Sequence, residues 1–111
     1  AYLSHVVRHY GSGMADVLLF LHGTPADHTP MGLLKLVLRG IALGSFVDVD
    51  FLHLGTPRMV ATANPCQSDL FELALGRRMR QPLSTYCCAQ FAVSHRRIMA
   101  RPRTDYLRML R

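Results

Sequence analysis

The spacing of apolar side chains along the chain predicts helices that alternate with short strands. Near the start, apolar residues recur at helical spacing from Tyr2 through Val6 to Tyr10, with polar residues between them. Residues 17–21, VLLFL, are instead apolar without interruption, which is typical of a strand covered on both faces. A second helical stripe follows from Leu33 to Ile41. This part of the chain therefore predicts helix, strand and helix in turn.

The middle of the chain has weaker periodicity. Residues 46–52 alternate only partly and predict either a strand or an extended loop. Residues 53–65 are interrupted by Gly and Pro and predict irregular structure. A helix is predicted from Asp69 to about Arg80, with Leu70 and Leu73 facing inward.

Near the end of the chain, a mostly apolar run from Tyr86 to Val93 predicts a buried strand. The run contains Cys87 and Cys88, and the third cysteine is Cys66. No spacing among the three matches a metal site, so we interpret them as buried, unreactive thiols.

Helices that alternate with strands predict an α/β fold with a small, mainly parallel or mixed sheet flanked by helices. The length fits a single domain spanning residues 1–111. Because the first residue is not Met and already belongs to a helical pattern, we expect a partial domain, truncated at its N-terminal side. The apolar runs are shorter than the roughly 20 residues that cross a bilayer, so no transmembrane segment is predicted. The sequence does not specify a compartment.

The charge is concentrated at one end of the chain. The net charge is +6, and residues 76–111 contain nine arginines against one acidic residue, Asp105. Such a segment is typical either of a solvated helical face or of a surface that binds phosphate groups. Nucleic acid is not the favoured partner, because the segment after Val93 offers a single aromatic side chain, Tyr106, for base stacking.

Polar groups able to do chemistry follow the first predicted strand. Residues 22–30, HGTPADHTP, place His22, Asp27 and His28 in a loop, because Gly and two Pro exclude regular structure. Imidazole and carboxylate are good acid–base groups and good ligands for a divalent cation, although no established metal motif has this spacing. The loop is a candidate catalytic site. The competing interpretation is a structural loop whose polar side chains bond the backbone, with Thr29 capping the next helix.

Three residues around the last predicted strand are candidate ligand contacts: Gln90, Ser94 and Arg97. Burying an unpaired amide costs on the order of 1–3 kcal/mol, so Gln90 needs partners, either in a neighbouring strand or loop or in a ligand. Ser94 is predicted to cap a short helix that begins at His95. Arg97 lies in its first turn, where a guanidinium suits phosphate oxygens.

Asp48 and Asp50 form a D-x-D pair of the kind that holds a divalent ion against a diphosphate in some sugar transferases. So short a pair often arises by chance, and the apolar run before it is only Phe46 and Val47. We therefore predict no metal site here. The cofactor stays unspecified, with a divalent cation as the one that the polar groups favour.

Two stretches of the chain resemble a catalogued family. The first consists of Tyr2 and Leu3, residues 17–23, Pro25 and Asp27–His28, and the second of residues 87–94, Arg97, Ile98, Arg101–Pro102 and Tyr106. Together they resemble domain-of-unknown-function family 3431 over nearly the whole chain, with a weak stretch from about Arg39 to Gln81. The resemblance implies that full-length members have a further N-terminal segment, and it implies no reaction.

A buried strand, a Ser-capped basic helix and a helix bearing an aromatic residue are also similar, more loosely, to nucleotide-sugar glycosyltransferase domains. This likeness implies a glycosyltransferase-like enzyme fragment that takes a nucleotide sugar or another phosphorylated ligand. Two alternatives stand beside it. One is a non-enzymatic anion-binding or interaction module that uses the arginine-rich C-terminal tail, and the other is an inactive fragment.

Overall fold

The computed structural model describes residues 1–46, 48–62, 64–86 and 88–111. Helices and strands are interspersed through these residues broadly as the apolar spacing predicts, but a strand lies within residues 53–65, for which the Gly and Pro positions predict irregular structure. Their bounds in chain order are α1 Tyr2–His9, β1 Val17–Phe20, α2 Met31–Ala42, β2 Phe51–His53, β3 Arg58–Ala61, α3 Pro65–Leu75, β4 Leu83–Tyr86, β5 Phe91–Ser94, α4 His95–Met99 and α5 Arg103–Leu110.

The main sheet has three strands in the order β1-β5-β2. Both strand pairs are antiparallel, with Val17 opposite Ser94 in one and Phe51 opposite Val93 in the other. The prediction of an α/β fold is confirmed broadly, as helices packed on a small sheet, whereas the strand pairs are antiparallel and not mainly parallel or mixed as expected. The physical reason is an insertion: β1 and β2 run in the same direction and are joined through α2, but β5 arrives later in the chain and occupies the place between them.

Side chains of β1 point alternately to two buried layers. Leu18 and Phe20 pack with α1 and α4 on one face of the sheet, whereas Leu19 and Leu21 pack with α2 on the other. Successive side chains in a strand face opposite sides, so a strand covered on both sides is apolar at every position. The interpretation of this run as a doubly covered strand is therefore confirmed, although its neighbour is antiparallel.

The predicted strand from Tyr86 to Val93 is divided. β4 ends at Tyr86 and pairs with β3 in a separate two-stranded sheet, whereas β5 begins at Phe91 in the main sheet. Between them Cys88 adopts a left-handed backbone with φ of 67°, which turns the chain out of one sheet and toward the other.

The cysteines differ from the interpretation as buried thiols. Cys88 is disulfide-bonded, and Cys66 is a free thiol at the surface. Cys87 lies outside the described residues, as does Val47, which belongs to the segment that predicts either a strand or an extended loop. Residues 51–53 of that segment form β2.

α3 begins earlier than predicted. Asn64 caps it, because its side chain accepts a hydrogen bond from the backbone N–H of Gln67 while the Gln67 side chain accepts one from the backbone N–H of Asn64. Leu70 and Leu73 are exposed rather than inward, because this helix lies outside both clusters of buried apolar residues. No helix of the described residues is long and apolar enough to span a membrane.

The cost of removing core volume is testable at Leu54. This side chain is completely buried, whereas Leu36 on α2 is 68% exposed. We expect Leu54→Ala to lower the free energy of unfolding by about 2–5 kcal/mol, because the lost contacts leave a cavity, and the matched change Leu36→Ala to have little effect. Denaturant unfolding of both variants measures this, and equal losses would contradict the assignment of the core.

Candidate functional site

Gln90 holds the polar loop that follows β1. Its side chain is fully buried, and every polar position of the amide has a partner in that loop. The Oε1 atom accepts from the backbone N–H of His22 at 3.1 Å, and Nε2 donates to the hydroxyl of Thr29 at 2.9 Å and to the carbonyl of Pro25 at 3.2 Å. The amide therefore acts on the site through the position of the loop.

The loop has internal bonds that match this clamp. Residues 25–27 form a single turn of 3-10 helix, and the backbone N–H groups of His28 and Thr29 donate to the carbonyl of Pro25. Thr29 is buried with its hydroxyl toward Gln90, so it does not cap α2, whose first flanking residue is Pro30. The expected cap is wrong because the buried amide takes the hydroxyl.

The clamp brings the predicted catalytic residues into one small region. The rings of His22 and His28 lie with centroids 5.4 Å apart, almost perpendicular, and both side chains are half-buried. Asp27 accepts a hydrogen bond of 2.7 Å from the hydroxyl of Thr24. Two imidazoles and a carboxylate thus share a loop whose backbone is hydrogen-bonded to the buried Gln90 side chain.

Ser94 and Arg97 lie at the opposite end of β5 from Gln90. From Gln90 to Ser94 the strand rises about 13 Å at the usual spacing per residue. The hydroxyl of Ser94 accepts from the backbone N–H of Arg97 at 3.0 Å, which confirms the predicted cap of α4. The same hydroxyl donates to Asp50 at 3.0 Å.

Asp50 occupies the position where the sequence suggested an external anion. Its carboxylate accepts from Arg96 Nε at 2.9 Å and pairs with Arg96 Nη2 at 2.8 Å. The hydrogen bonds from Arg96 and then Ser94 hold the pKa of Asp50 below its ordinary value of 3.8. Within the described residues, no three His, Cys, Asp or Glu side chains are grouped so that they could hold a metal ion.

An aromatic groove connects the two ends of β5. It has a volume of about 490 Å³ and lies on the face of the sheet that α1, α4 and α5 cover only in part. The hydroxyl of Tyr2 donates to the carbonyl of Leu21, next to His22, at one end. Its lining includes five aromatic rings, those of Tyr2, Phe20, Phe51, Phe91 and Tyr106, and the guanidinium of Arg97.

Phe51 is the part of this groove that the sequence interpretation missed. Its ring stacks on Phe91 with centroids 5.1 Å apart and an interplanar angle of 26°, and His53 follows on the same face. The sequence does contain a signal for it: Phe51 and His53 both have ring side chains and are two residues apart, which is the period of one strand face.

Most arginines of the basic tail already have partners. Arg101 and Arg108 both pair with Asp105, and Arg103 donates to the backbone carbonyl of Val7 at 3.1 Å. The guanidinium of Arg97 differs, because it has no hydrogen bond or ion pair in the part of the chain that the structure describes.

Comparison with known proteins supports the resemblance over half of the chain. The family model described as "Protein of unknown function (DUF3431)" matches residues 56–111, which include Gln90, Ser94 and Arg97. The His22–His28 loop, which the resemblance also covers, precedes the matched range. No curated protein and no solved structure matches the chain.

The clamp can be tested by replacing the Gln90 amide with an apolar side chain of similar size. Gln90→Leu leaves three loop groups without their partner, so we expect a loss of about 1–3 kcal/mol in the free energy of unfolding and faster amide hydrogen exchange at residues 22–29. Thr29→Val removes one of the three partners and should have a smaller effect. Unchanged exchange in the loop with Gln90→Leu would show that the clamp does not hold it.

The Asp50–Arg96 pair predicts a pH-dependent difference. Because the folded pKa lies below 3.8, the carboxylate stabilises the fold above pH 3.8, and this contribution is lost as the pH falls through the folded pKa. Asp50→Asn should therefore lower Tm at about pH 7, and the gap to the unmodified chain should narrow as the pH falls below 3.8. Asp48→Asn is the control, since Asp48 has no ion pair in the described residues. A gap that persists in acid would contradict this account.

Proposed function

We propose that this chain, which belongs to the DUF3431 family of proteins of unknown function, is an enzyme domain of the glycosyltransferase type that acts on a nucleotide sugar. The observation that carries the proposal is the buried Gln90 amide, which holds a loop with two adjacent imidazoles at the end of a core strand. Loops on a rigid scaffold carry catalytic groups more often than the scaffold itself.

Fixing the loop serves acid–base chemistry. A base must lie within hydrogen-bond range of the proton it removes, and its side chain must be positioned before the substrate binds. The clamp uses the backbone N–H of His22, and neither nitrogen of its imidazole ring has a hydrogen bond within the described residues, so both can meet a substrate. His28 lies beside it, and Asp27 is held through Thr24.

The proposed step is transfer of a sugar to an acceptor hydroxyl. The hydroxyl oxygen forms a bond to the anomeric carbon, and the bond from that carbon to the phosphate oxygen breaks. The proton of the hydroxyl passes to an imidazole of the loop, and the nucleoside diphosphate leaves with the bond electrons. The negative charge that develops on the leaving group favours a nearby cation, either Arg97 or a divalent metal ion.

The arginine pairings favour this hypothesis over a binding module built on the tail. An anion-binding tail needs several free guanidinium groups on one surface. Arg96, Arg101, Arg103 and Arg108 instead bond carboxylates or backbone of the same chain. The aromatic groove, by contrast, is lined both by Tyr2, which bonds Leu21 before the loop, and by the unbonded guanidinium of Arg97.

A panel of nucleotide sugars, with and without Mn²⁺, tests the proposal. A ligand that binds the folded state must raise Tm, and a substrate must release nucleoside diphosphate. We expect His22→Gln and His28→Gln to lower the release rate by a factor of about 10²–10⁴ while the rise in Tm persists. His5→Gln on α1 is the matched control and should leave the rate unchanged. Absence of both binding and release across the panel would rule out this function.

A further inference from the structure

Phe51 presents one face of its ring to a partner that the described chain does not supply. The ring stacks on Phe91 with its other face, yet Phe51 is 47% exposed. A single exposed apolar side chain is ordinary. This one differs because it stacks within a row of rings that continues through Phe91 to Phe20 and Tyr2, while its contact with His53 is near-perpendicular and not a stack. A planar ring placed on Phe51 would extend a stack that the fold already holds in position.

Arg97 provides a positive charge beside this ring. Phe51 and Arg97 both line the aromatic groove, and both line a shallower depression next to it with Asp48 and Asp50. The charge of Arg97 acts on groups in both the groove and the depression. Burial raises the pKa of Tyr106 against the charges of Arg101 and then Arg97, while hydrogen bonds from Arg96 and Ser94, and to a smaller extent the charge of Arg97, lower the pKa of Asp50.

No neighbouring carboxylate forms an ion pair with Arg97 in the described residues. Asp50 is bonded to Arg96 and Ser94, and Asp105 is shared by Arg101 and Arg108. Four guanidinium groups thus stand against three carboxylates at this end of β5, those of Asp48, Asp50 and Asp105, and Arg97 is the one of the four without a hydrogen bond or ion pair in the described residues. A guanidinium without a partner matches the paired oxygens of a phosphate group.

We propose that Phe51 and Arg97 form a nucleotide-binding site, in which a base stacks on Phe51 and a phosphate group bonds Arg97. The inference rests on the proposed function, since the nucleotide is then the donor part of the nucleotide sugar. It goes further by naming the residues that recognise the base and the phosphate of that donor.

Ring and charge act together in this site, so a ligand with both must bind better than a ligand with one. Base stacking and a charge-assisted hydrogen bond each contribute modestly to affinity. Each is too small to give tight binding alone. Uridine diphosphate, uridine and inorganic pyrophosphate separate the two contributions.

Calorimetric titration of the protein with these three probes gives the first test. We expect uridine diphosphate to bind at least about tenfold more tightly than uridine or pyrophosphate. A short single-stranded oligouridylate is the fourth probe, and it distinguishes a free nucleotide from a nucleotide within RNA. Preference for the oligomer would overturn the donor assignment, and equal binding of pyrophosphate and uridine diphosphate would overturn the role of Phe51.

Variants at the two residues give the second test. Arg97→Gln and Phe51→Leu should each weaken uridine diphosphate binding by about tenfold or more, whereas Phe51→Tyr keeps the ring and should preserve it. Arg97→Lys keeps the charge without the fork and should be intermediate. Arg80→Gln is the control for charge, since Arg80 is exposed and has no partner in the described residues. The Arg97 side chain makes no bond there either, so its loss should leave Tm nearly unchanged.

The outcomes separate this site from the proposed function. If sugar transfer occurs but Arg97→Gln and Phe51→Leu leave nucleotide affinity unchanged, the site is wrong and the function stands. If both variants weaken nucleotide binding and no nucleotide sugar is turned over, the site stands and the function fails. Absence of nucleotide binding at millimolar concentration overturns the site.

Discussion

A single buried amide links the core of this domain to its polar loop. Gln90 sits where β5 enters the main sheet, and its side chain is closed off from water. A buried amide without partners destabilises a fold by as much as several ordinary interactions stabilise it. The loop after β1 therefore has to lie against Gln90, and the histidines have to follow. The candidate catalytic groups are therefore positioned by the need of a buried core amide for hydrogen-bond partners.

The same requirement explains what sequence reasoning can and cannot provide here. The two imidazoles and the buried amide are visible as unusual residues in their segments, and the search for partners of Gln90 points to a loop or a ligand. What decides between these is the pairing of β1 with β5, which joins residues far apart in the chain. Local periodicity contains no information about such pairing, because both parallel and antiparallel neighbours allow a doubly covered strand to be apolar throughout.

Other differences have the same origin. Thr29 has the right place to cap α2, yet its hydroxyl is drawn to Gln90, and the cap prediction fails through a contact with residue 90. Tyr86 and Phe91 stand in one apolar run, yet they pair with different sheets. By contrast, Ser94 caps α4 as predicted, since that bond depends only on residues three apart.

The basic tail shows how charge counts and charge contacts diverge. Nine arginines in the last third of the sequence suggest a polyanion site, but the folded chain directs most of them to its own carboxylates and carbonyls. Asp50 in particular lies where a phosphate was expected beside Ser94. What the aromatic groove offers an outside ligand is one unbonded guanidinium next to an aromatic ring, a far more selective arrangement than a basic surface.

The place of β5 between β1 and β2 also has a consequence for how the molecule is assembled. The strand at the middle of the main sheet is the last of its three to be synthesised, so β1 and β2 must wait with unpaired backbone groups facing the gap between them. Exposed strand edges of this kind readily join to other chains. The segment that matches the family, residues 56–111, contains the middle strand and neither of its neighbours. Expressed alone it would carry a central strand with two open edges and none of the neighbours that cover them in the full fold.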